Sequence, residues 1–336
     1  MTKIKIGIIG YGSWVKKAYI PALKKDGRAE IIAISARSEN TIKSIKEDFG
    51  ISIDIYKGYK DLLASPKIEA VMIAVPDFVH AEIISATLAA NKAVFYEPPI
   101  AHTRVLLPKI IKSLLRTPLI TYADLELALV PAIAKAADLI KRKVIGNVQT
   151  VSIKLQSQWG PEPKQDINNI ARLSVWYTHV LNVLLGSTPK RVLIMDGYGT
   201  EGRRQSQSTG FFDYNGIWGE LKVNTDSCEK LTINVEAVGD SGNIQIDVLT
   251  GEIKVRTKKS PIWEIEYLPA KQPYASWPGM HESIAAFLDS IEKGTSNFAN
   301  AEVVANLNLI ALASEESKDT GNWAKVKNVN ELQLYT

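Results

Sequence analysis

The stretch from residue 3 to residue 18, KIKIGIIGYGSWVKKA, constrains the fold of this chain more than any other. It begins as an alternating apolar run typical of a β-strand, turns at Gly10 and Gly12, and continues at helical spacing. A pyrophosphate needs backbone N–H groups with no side chain in the way, and a helix N-terminus offers them with a favourable dipole. Gly10 permits the tight turn, and Gly12 lets the backbone approach the phosphates closely. Val15 stands where the usual G-x-G-x-x-G spacing has its third glycine. The stretch predicts the first βαβ unit of a dinucleotide-binding domain.

Strands and helices alternate through the first 124 residues. Apolar runs of strand length end at Ser35, Val75, Tyr96 and Ala123, and helical patterns lie between them. The run 70–75, AVMIAV, is apolar at every position and suits a parallel strand buried on both faces. A chain of 336 residues is too long for one ordinary core, so two domains are expected. We predict an α/β fold in which residues 1–124 form a Rossmann domain with a doubly wound parallel sheet.

The pattern changes in residues 125–336. Short segments separated by turn signals predict strands at 148–156, 192–195, 216–224, 230–237, 243–248, 252–257 and 263–267. Helical patterns occur at 130–142, 167–185, 281–292 and 299–316. We therefore expect a C-terminal α+β domain with an open, mostly antiparallel sheet that binds substrate. Thr, Val, Ile and Trp on an uncovered face of that sheet would favour a homodimer or homotetramer formed through it.

Composition argues against several classes of partner. The formal net charge is +4 and no run of like charges occurs, so nucleic-acid binding is not indicated. No apolar run reaches membrane-spanning length, and a strand stands where a signal peptide would be expected. Cys228 is the single cysteine, which excludes an intrachain disulfide and suits a reducing compartment. Four histidines and one cysteine without ligand spacing predict no metal site. A cytoplasmic protein that acts on a small molecule is the simplest interpretation.

Four further segments carry a resemblance to a known family. They are AVPDFVHAE with Pro76 and His80, VFYEPPIA with Glu97 and Pro99, SVWYTHVLNVLLG with His179, and the closing MHESIAAFLDSIEKG. In their order and spacing they resemble the glucose–fructose oxidoreductase, inositol dehydrogenase and rhizopine catabolism (Gfo/Idh/MocA) family over nearly the whole chain. The resemblance implies a Rossmann domain, an open antiparallel sheet through which subunits assemble, and hydride transfer with a nicotinamide cofactor. It also implies a small polar substrate such as a sugar or sugar derivative.

Three positions depart from the family pattern. The lysine of the family's E-K-P motif is Pro98 here, the aspartate of D-x-G-x-H is Val175, and the asparagine after T-P is Asp77. The usual catalytic residues are therefore incomplete, which leaves two alternatives to a sugar oxidoreductase. One is a nucleotide-binding sensor or scaffold without turnover, and the other is a reductase of C=N or C=C bonds. The sequence names neither the substrate nor the direction of the reaction.

His179 is the candidate catalytic residue, because moving a hydride from an alcohol carbon requires a group that takes the hydroxyl proton. Helical spacing places Arg172, Val175 and Asn182 on the same stripe, so Arg172 and Asn182 are candidate substrate ligands. A hydrogen-bonded interior histidine is the open alternative for His179. The residues predicted to bind the cofactor lie at the glycine turn and at strand ends: Gly10, Gly12, Ser13, Trp14, Ser35, Arg37, Ser38, Val75, Pro76, His80, Glu97 and Pro98. Among these, His80 is expected to fix its turn by hydrogen bonding to backbone.

The end of the second predicted strand bears on the choice of cofactor. An NAD-specific Rossmann domain ends this strand with Asp or Glu, whose carboxylate binds the hydroxyls of the adenine ribose. In the run 31–38, IIAISARS, that position is Ala36, and no acid follows until Glu39. Arg37 can contact a 2′-phosphate, and the hydroxyls of Ser35 and Ser38 can add hydrogen bonds. The sequence predicts NADP as the cofactor, with NAD as the alternative.

Overall fold

The structure is a computed structural model and describes residues 2–101, 103, 105–158, 169–198, 205–268, 277–294, 298–329 and 331. The side chains of residues 169–172, 198 and 205 are outside this description. The chain divides into two compact units, each with its own sheet. The first unit comprises Met1–Asp124 and Gln272–Val304, and the second comprises Leu125–Lys271 and Ala305–Thr336.

Parallel strands form the sheet of the first unit: β1 (Ile4–Ile9), β2 (Ala29–Ser35), β3 (Asp54–Tyr56), β4 (Ala70–Ile73), β5 (Ala93–Tyr96) and β6 (Thr121–Ala123). Their order across the sheet is β3-β2-β1-β4-β5-β6, which is that of a doubly wound dinucleotide-binding fold. Every residue of β4 is buried, as expected for a parallel strand covered on both faces. The predicted Rossmann domain is confirmed.

Helices connect these strands: α1 (Ile20–Asp26), α2 (Glu39–Phe49), α3 (Tyr59–Ala64), α4 (His80–Ala89) and α5 (Leu106–Arg116). The helical segment after the glycine turn is not uniform, because one π-helical turn over Val15–Tyr19 precedes α1. In it the Ile20 N–H donates to the Val15 carbonyl oxygen, five residues earlier. A π-turn of this kind often marks a functional site.

The second unit contains α6 (Pro131–Lys141), α7 (Asn169–Leu185) and a nine-stranded sheet. The strands are β7 (Val148–Ser157), β8 (Arg191–Tyr198), β9 (Gln205–Asp213), β10 (Trp218–Asn224), β11 (Leu231–Gly239), β12 (Gly242–Asp247), β13 (Glu252–Thr257), β14 (Glu264–Tyr267) and β15 (Ala324–Lys325). Their order is β14-β13-β12-β11-β7-β10-β9-β8-β15. The pair β7–β10 is parallel, and the other neighbouring pairs are antiparallel. The predicted, mostly antiparallel sheet is confirmed.

The outward face of this sheet is polar, contrary to the apolar face predicted from the sequence. In β7, Val151 and Ile153 are buried, whereas Ser152 is half-buried and Lys154 is exposed. Neighbouring strands repeat this alternation and direct polar side chains outward: Glu220, Lys222, Asn234, Glu236, Gln245 and Lys254. The β-branched residues occupy the buried positions of the alternating pattern. The composition of the strands alone does not reveal which of the alternate positions are buried.

The helices α8 (Met280–Lys293) and α9 (Ala301–Thr320) follow β14. The sequence-based prediction placed every residue after 124 in the second domain, but Gln272–Val304 belongs to the first unit. Arg28 contributes to this placement, because its guanidinium donates to Asp289 of α8 at 2.5 Å, across 261 positions of sequence. The local sequence pattern cannot reveal a contact between residues so far apart in the sequence. No helix within the described ranges is long and apolar enough to cross a membrane.

The strand β9 was not among the predicted strands. Its sequence, QSQSTGFFD, opens with five polar residues and contains Gly210, so its own propensity for strand is weak. It is nevertheless paired on both sides, with β8 and with β10. Ser206 and Ser208 are buried there. Tertiary pairing therefore outweighs local propensity at this strand.

Candidate active site

The turn after β1 has the geometry of a backbone cradle. Gly10 has a φ of +96°, and a Cβ atom there would lie 2.1 Å from the Ala74 carbonyl oxygen, so only glycine fits. The Gly10 N–H donates to the Ser35 carbonyl oxygen at 2.9 Å, which joins the turn to the end of β2. A Cβ atom at Gly12 would meet no atom within 4 Å. The open space beside the Gly12 backbone fits the pyrophosphate of a dinucleotide.

The π-helical turn that follows accommodates the missing third glycine. Val15, at that position, is fully buried within the turn. The turn also brings residues five apart to the same side, because its hydrogen bonds join residue i to residue i+5. Trp14 and Tyr19 are such a pair, and both donate to Oε1 of Glu97. The turn therefore directs two donors from the segment after β1 towards the loop after β5.

Glu97 directly follows β5 and accepts hydrogen bonds from two side chains of the segment after β1. Trp14 Nε1 donates to its Oε1 at 2.6 Å, and the Tyr19 hydroxyl donates to the same oxygen. Asp124 follows β6, is fully buried and accepts from Ser283 Oγ at 2.7 Å. Burial raises the pKa of Glu97, and the hydrogen bonds from Tyr19 and Trp14 act in the opposite direction. Sequence reasoning named Glu97 as a cofactor ligand but did not place it next to the end of β6, because the pairing of β5 with β6 brings these strand ends together.

His80 begins α4 and bridges two loops. Its Nδ1 lies 2.7 Å from the Pro99 carbonyl oxygen, and its Nε2 lies 2.8 Å from the Val75 carbonyl oxygen. Both partners are acceptors, so a neutral ring satisfies one of them and an imidazolium donates to both. The Pro98-Pro99 peptide bond in the second loop is cis. His80 thus makes the backbone contacts expected of it, at the ends of β4 and β5.

The residues predicted to determine the preference between NADP and NAD lie at the end of β2. Ser35 and Ala36 are buried, and Arg37 is exposed. Ser38 is the N-cap of α2, and its Oγ accepts a hydrogen bond from the Thr41 N–H at 3.1 Å. The Ser38 hydroxyl therefore caps the helix, a use that the sequence prediction did not include. No acid stands at the strand end, as the sequence already indicates.

His179 lies within α7 and is 5% exposed. Burial lowers its pKa to about 4, so the ring is neutral at pH 7. Val175, which occupies the family's aspartate position one turn earlier, is buried and apolar. The imidazole is therefore held as a neutral group that can donate one hydrogen bond and accept another.

The structure describes the side chain of only one of the two candidate substrate ligands on α7, that of Asn182. In the amide orientation that satisfies its neighbours, the Asn182 nitrogen lies 2.7 Å from the Tyr214 hydroxyl oxygen and 3.2 Å from the carbonyl oxygens of Thr178 and Ser187, so these acceptors share its two hydrogens. This amide closes the C-terminal end of α7, so the helix itself accounts for its hydrogen bonds. Arg172 belongs to α7, but its side chain lies outside the described part of the structure.

Sequence reasoning did not identify one acidic residue that interacts with α7. Glu126, in a 3₁₀ turn over Glu126–Leu129, is buried. Burial raises the pKa of Tyr177 in α7, and the charge of Glu126 raises it further. No sequence signal pairs these two residues, which lie on separate elements. Among the residues that the structure describes, no group of three or more His, Cys, Asp or Glu side chains is placed to hold a metal ion.

Comparisons with known proteins bear on the fold and the family. Residues 4–115 match the model of the Gfo/Idh/MocA family, which is described as an oxidoreductase family with an NAD-binding Rossmann fold. A dTDP-3,4-didehydro-2,6-dideoxy-alpha-D-glucose 3-reductase from Actinomadura kijaniata is 27% identical over 164 residues, which are 49% of this chain and 48% of that protein. An inositol 2-dehydrogenase from Agrobacterium fabrum is 29% identical over 100 residues, 30% of each protein. The chain thus spans about half, or less, of the length of these curated relatives.

Solved structures extend the likeness of fold to both units. A levoglucosan dehydrogenase in complex with NADH and L-sorbose superposes with a TM-score of 0.86 at 18% identity, covering 98% of this chain and all of that one. An oxidoreductase domain protein from Kribbella flavida has a TM-score of 0.84 at 17% identity, with the same coverage. At such identities the likeness shows the fold alone. Residues 4–115 are therefore similar to the Gfo/Idh/MocA family of oxidoreductases, and the likeness over the rest of the chain is one of fold.

Proposed function

We propose that this protein is a nicotinamide-dependent oxidoreductase that transfers a hydride to or from a small polar substrate, such as a sugar or sugar derivative. The turn at Gly10 and Gly12 carries the proposal. It has one glycine that the backbone requires and a second that leaves open space where a pyrophosphate fits. The names of the relatives, an inositol dehydrogenase and a sugar-nucleotide reductase among them, support the class of substrate.

The first unit supplies the cofactor site in this proposal. The backbone of Gly10, Gly12 and Ser13 holds the pyrophosphate, with Trp14 beside it. The loops after β4 and β5, with Val75, Pro76, Glu97 and Pro98, face the nicotinamide half, and His80 ties these loops together. Ser35, Arg37 and Ser38 hold the adenosine half, and the missing acid at Ala36 makes NADP the preferred cofactor. When bound, the cofactor donates or accepts the hydride.

The second unit supplies His179 as the candidate catalytic residue. A ring that is neutral at pH 7 can hold a substrate hydroxyl by a hydrogen bond and accept its proton as the alcohol is oxidised. Arg172 is proposed to bind a polar or acidic part of the substrate. Asn182 is a weaker candidate for the same task, because its amide is already bonded within the unit.

A sensor or scaffold without turnover is the second candidate function. The observation that favours it is the pair of substitutions that place Pro98 and Val175 at the family's lysine and aspartate positions, because neither side chain can carry a proton. A reductase of C=N or C=C bonds is a variant of the first function. It retains the cofactor site and makes a different demand on the proton donor.

Assembly into a homodimer or homotetramer through the nine-stranded sheet is also proposed, on different physical grounds from those of the sequence prediction. The outward face carries charges of both signs, with Lys222 beside Glu220 and Lys254 beside Glu252. A face of mixed charge can pair with a second copy of itself by complementary charges. Burial of apolar area is not the driving force at the centre of this face.

The proposed function is tested by titrating NADPH and NADH into the full chain, followed by a panel of sugars, polyols and imines with nicotinamide absorbance as the readout. We expect nucleotide binding and turnover with at least one substrate class. His179→Ala should lower turnover by about 100-fold, the usual contribution of a general acid or base, without changing nucleotide affinity. His281→Ala, in the other unit, is the matched control and should keep full turnover. Nucleotide binding without any turnover in the wild type would favour the sensor, and full turnover in His179→Ala would reject the role of His179.

A further inference from the structure

A groove lies at one edge of the nine-stranded sheet, within the second unit. Its volume is about 500 Å³, which is in the range of sites for small molecules. β8 and the edge strand β15 form it, and the Val326 N–H donates to the Lys190 carbonyl oxygen at 2.9 Å to join the two. The residues that line the groove are Lys190, Arg191, Asp213, Trp323, Lys325 and Val326. Basic and aromatic side chains therefore dominate its wall.

The guanidinium of Arg191 is held in place from two directions. Its Nε donates to Asp213 Oδ2 at 2.8 Å, and its Cζ lies 4.7 Å from the centroid of the Trp323 ring. Asp213 is fixed in turn, because its Oδ1 accepts from the Gly216 N–H at 2.9 Å. The Gly216 N–H and the Arg191 guanidinium hold the pKa of Asp213 below its usual value, so this carboxylate stays charged. Arg191 is therefore preorganised and loses little freedom when a ligand binds to it.

The two terminal nitrogens of Arg191, Nη1 and Nη2, form a planar fork that the protein does not use. Neither has a hydrogen-bond partner among the residues that the structure describes, and the side chain is 49% exposed. Such a fork matches two oxygens of a phosphate or carboxylate. Lys190 adds a second charge beside it, because its Nζ donates to the amide oxygen of Asn215 at 2.7 Å and makes no ion pair with a described residue. Both groups can therefore bind an anion.

The charge around the groove also favours an anion. Each nearby carboxylate already has a cationic partner, since Asp213 binds Arg191 and Glu331 binds Lys325 at 3.2 Å. The nearby cations outnumber these two carboxylates: Lys190, Arg191, Lys325 and Lys327. An anion that enters the groove would therefore meet a net positive charge.

Trp323 supplies an aromatic wall next to the fork. It lines the groove and is 37% exposed, and its ring lies 5.7 Å from that of Trp218, which is exposed to the same extent. Strand pairing places Trp218, Asp213 and Arg191 directly opposite one another, so these side chains share one face of the sheet. Indole rings stack with flat ring systems such as nucleobases. The fork and the indole together match a ligand with an anionic group at one end and a flat ring at the other.

We propose that this groove binds a nucleotide, with its phosphate on the fork of Arg191 beside Lys190 and its base against Trp323. A phosphate monoester carries nearly two negative charges at neutral pH, so it suits two cations better than a carboxylate does. The groove lies in the second unit, whereas the proposed cofactor site lies in the first, so this inference does not depend on the proposed function. It also leaves the charge pairs assigned to assembly unaltered, because those pairs lie on β10 and β13.

Calorimetric titration of AMP into the full chain tests the groove, with NADPH in excess to occupy the proposed cofactor site. We expect AMP to bind the wild type, and Arg191→Gln should lower its affinity by about 10-fold or more because two charge-assisted hydrogen bonds are lost. Arg191→Lys keeps the charge but not the fork, so it should also bind AMP weakly. Arg256→Gln is the matched control, because the Arg256 Cζ lies 4.5 Å from the ring centroid of Trp263 in the same unit, outside the groove. It should bind AMP as the wild type does.

Absence of AMP binding by the wild type, or equal affinities of the wild type and Arg191→Gln, would overturn the proposal. A failure of NADPH to bind would reject the proposed function but would leave the comparison between the wild type and Arg191→Gln intact.

Inorganic phosphate and the variant Trp323→Leu test the contact with the base. The wild type should bind AMP about 10-fold more tightly than inorganic phosphate, and Trp323→Leu should remove most of that difference. Equal affinities for AMP and phosphate would show a simple anion site and would overturn the assignment to a nucleotide. Sedimentation tests a second copy of the chain as the occupant. An oligomer that Arg191→Gln dissociates, in a wild type that binds no AMP, would assign the groove to that second copy and overturn the proposal.

Discussion

The indole Nε1 of Trp14 donates to Oε1 of Glu97 at 2.6 Å, although 83 positions separate the two residues. The bond joins the glycine turn after β1 to the loop after β5, across the intervening β4. Both loops lie at the carboxyl edge of a parallel sheet, where ligands bind in folds of this class. A substitution at Trp14 should therefore affect the stability of the first unit and the geometry of the proposed cofactor site together.

Trp14→Phe should lower the free energy of unfolding by about 1–2 kcal/mol, because it removes a donor from a half-buried carboxyl. It should also weaken nucleotide binding, since the turn is no longer tied to Glu97. Tyr11→Phe is the matched control, because Tyr11 lies in the same turn but its hydroxyl donates to Asp48 on α2. Denaturant unfolding and nucleotide titration of both variants provide the measurement. Equal nucleotide affinities in the two variants would contradict the role given to Trp14.

The two glycines of the turn should respond differently to alanine. Gly10→Ala places a Cβ atom 2.1 Å from the Ala74 carbonyl oxygen at a φ of +96°, so it should destabilise the first unit strongly. Gly12→Ala meets no protein atom within 4 Å and should leave the unfolding midpoint almost unchanged. Its methyl group would occupy the space proposed for the pyrophosphate, so nucleotide affinity should fall. Thermal unfolding and nucleotide titration separate these effects, and unaltered affinity in Gly12→Ala would place the pyrophosphate elsewhere.

The elements that sequence predicts well are those with a strong local signal. The apolar period of β1, the run of β4 and the glycine turn after β1 are all visible in the local sequence pattern. The errors arise where partners distant in sequence decide the outcome. Arg28 binds Asp289 in a segment that the sequence prediction assigned to the other domain. The outward face of the nine-stranded sheet is polar because the apolar residues occupy the alternate, buried positions, which composition does not reveal. The placement of Glu97 and Asp124 at neighbouring strand ends likewise depends on the pairing of β5 with β6.

His179 should make the stability of the protein depend on pH in the acidic range. Its pKa falls from 6.5 to about 4 on folding because burial disfavours the charged ring. The folded state therefore binds fewer protons, so the contribution is present above pH 6.5 and is lost as the pH falls towards about 4. A shift of this size corresponds to about 3 kcal/mol. Between pH 7 and pH 4.5, the free energy of unfolding should therefore fall less in His179→Gln than in the wild type.

The control for this experiment is His281→Gln, which alters a half-buried histidine of α8 and should retain the wild-type difference between the two pH values. Urea unfolding at both pH values gives the comparison. A wild-type acid sensitivity that His179→Gln fails to reduce would mean that other groups account for it.

The charged outward face of the nine-stranded sheet makes assembly through it sensitive to salt. At about 1 M salt the Debye length is roughly 3 Å, compared with about 10 Å at 0.1 M, so attraction between complementary charges is screened. Sedimentation should therefore show a larger oligomer at low salt than at high salt. Lys222→Glu should disrupt it, whereas Lys141→Glu on α6 should not, because α6 contacts β12 and β13 from the other face. A monomer under every condition would reject assembly through this face.

Cofactor choice is the prediction that depends on the fewest residues. β2 ends at Ser35, and Ala36 stands where an NAD-specific domain has an acid, with the exposed Arg37 next in sequence. A carboxylate at this position would repel a 2′-phosphate and would bind the ribose hydroxyls of NAD. Ala36→Asp should therefore shift preference from NADP towards NAD, and Arg37→Ala should weaken NADP more than NAD because it removes only the phosphate contact. Calorimetric titration of both cofactors into the wild type and the two variants gives one ratio of NADP affinity to NAD affinity for each of the three proteins, to compare with these expectations. Tighter binding of NAD than of NADP by the wild type would show that the missing acid does not determine the choice.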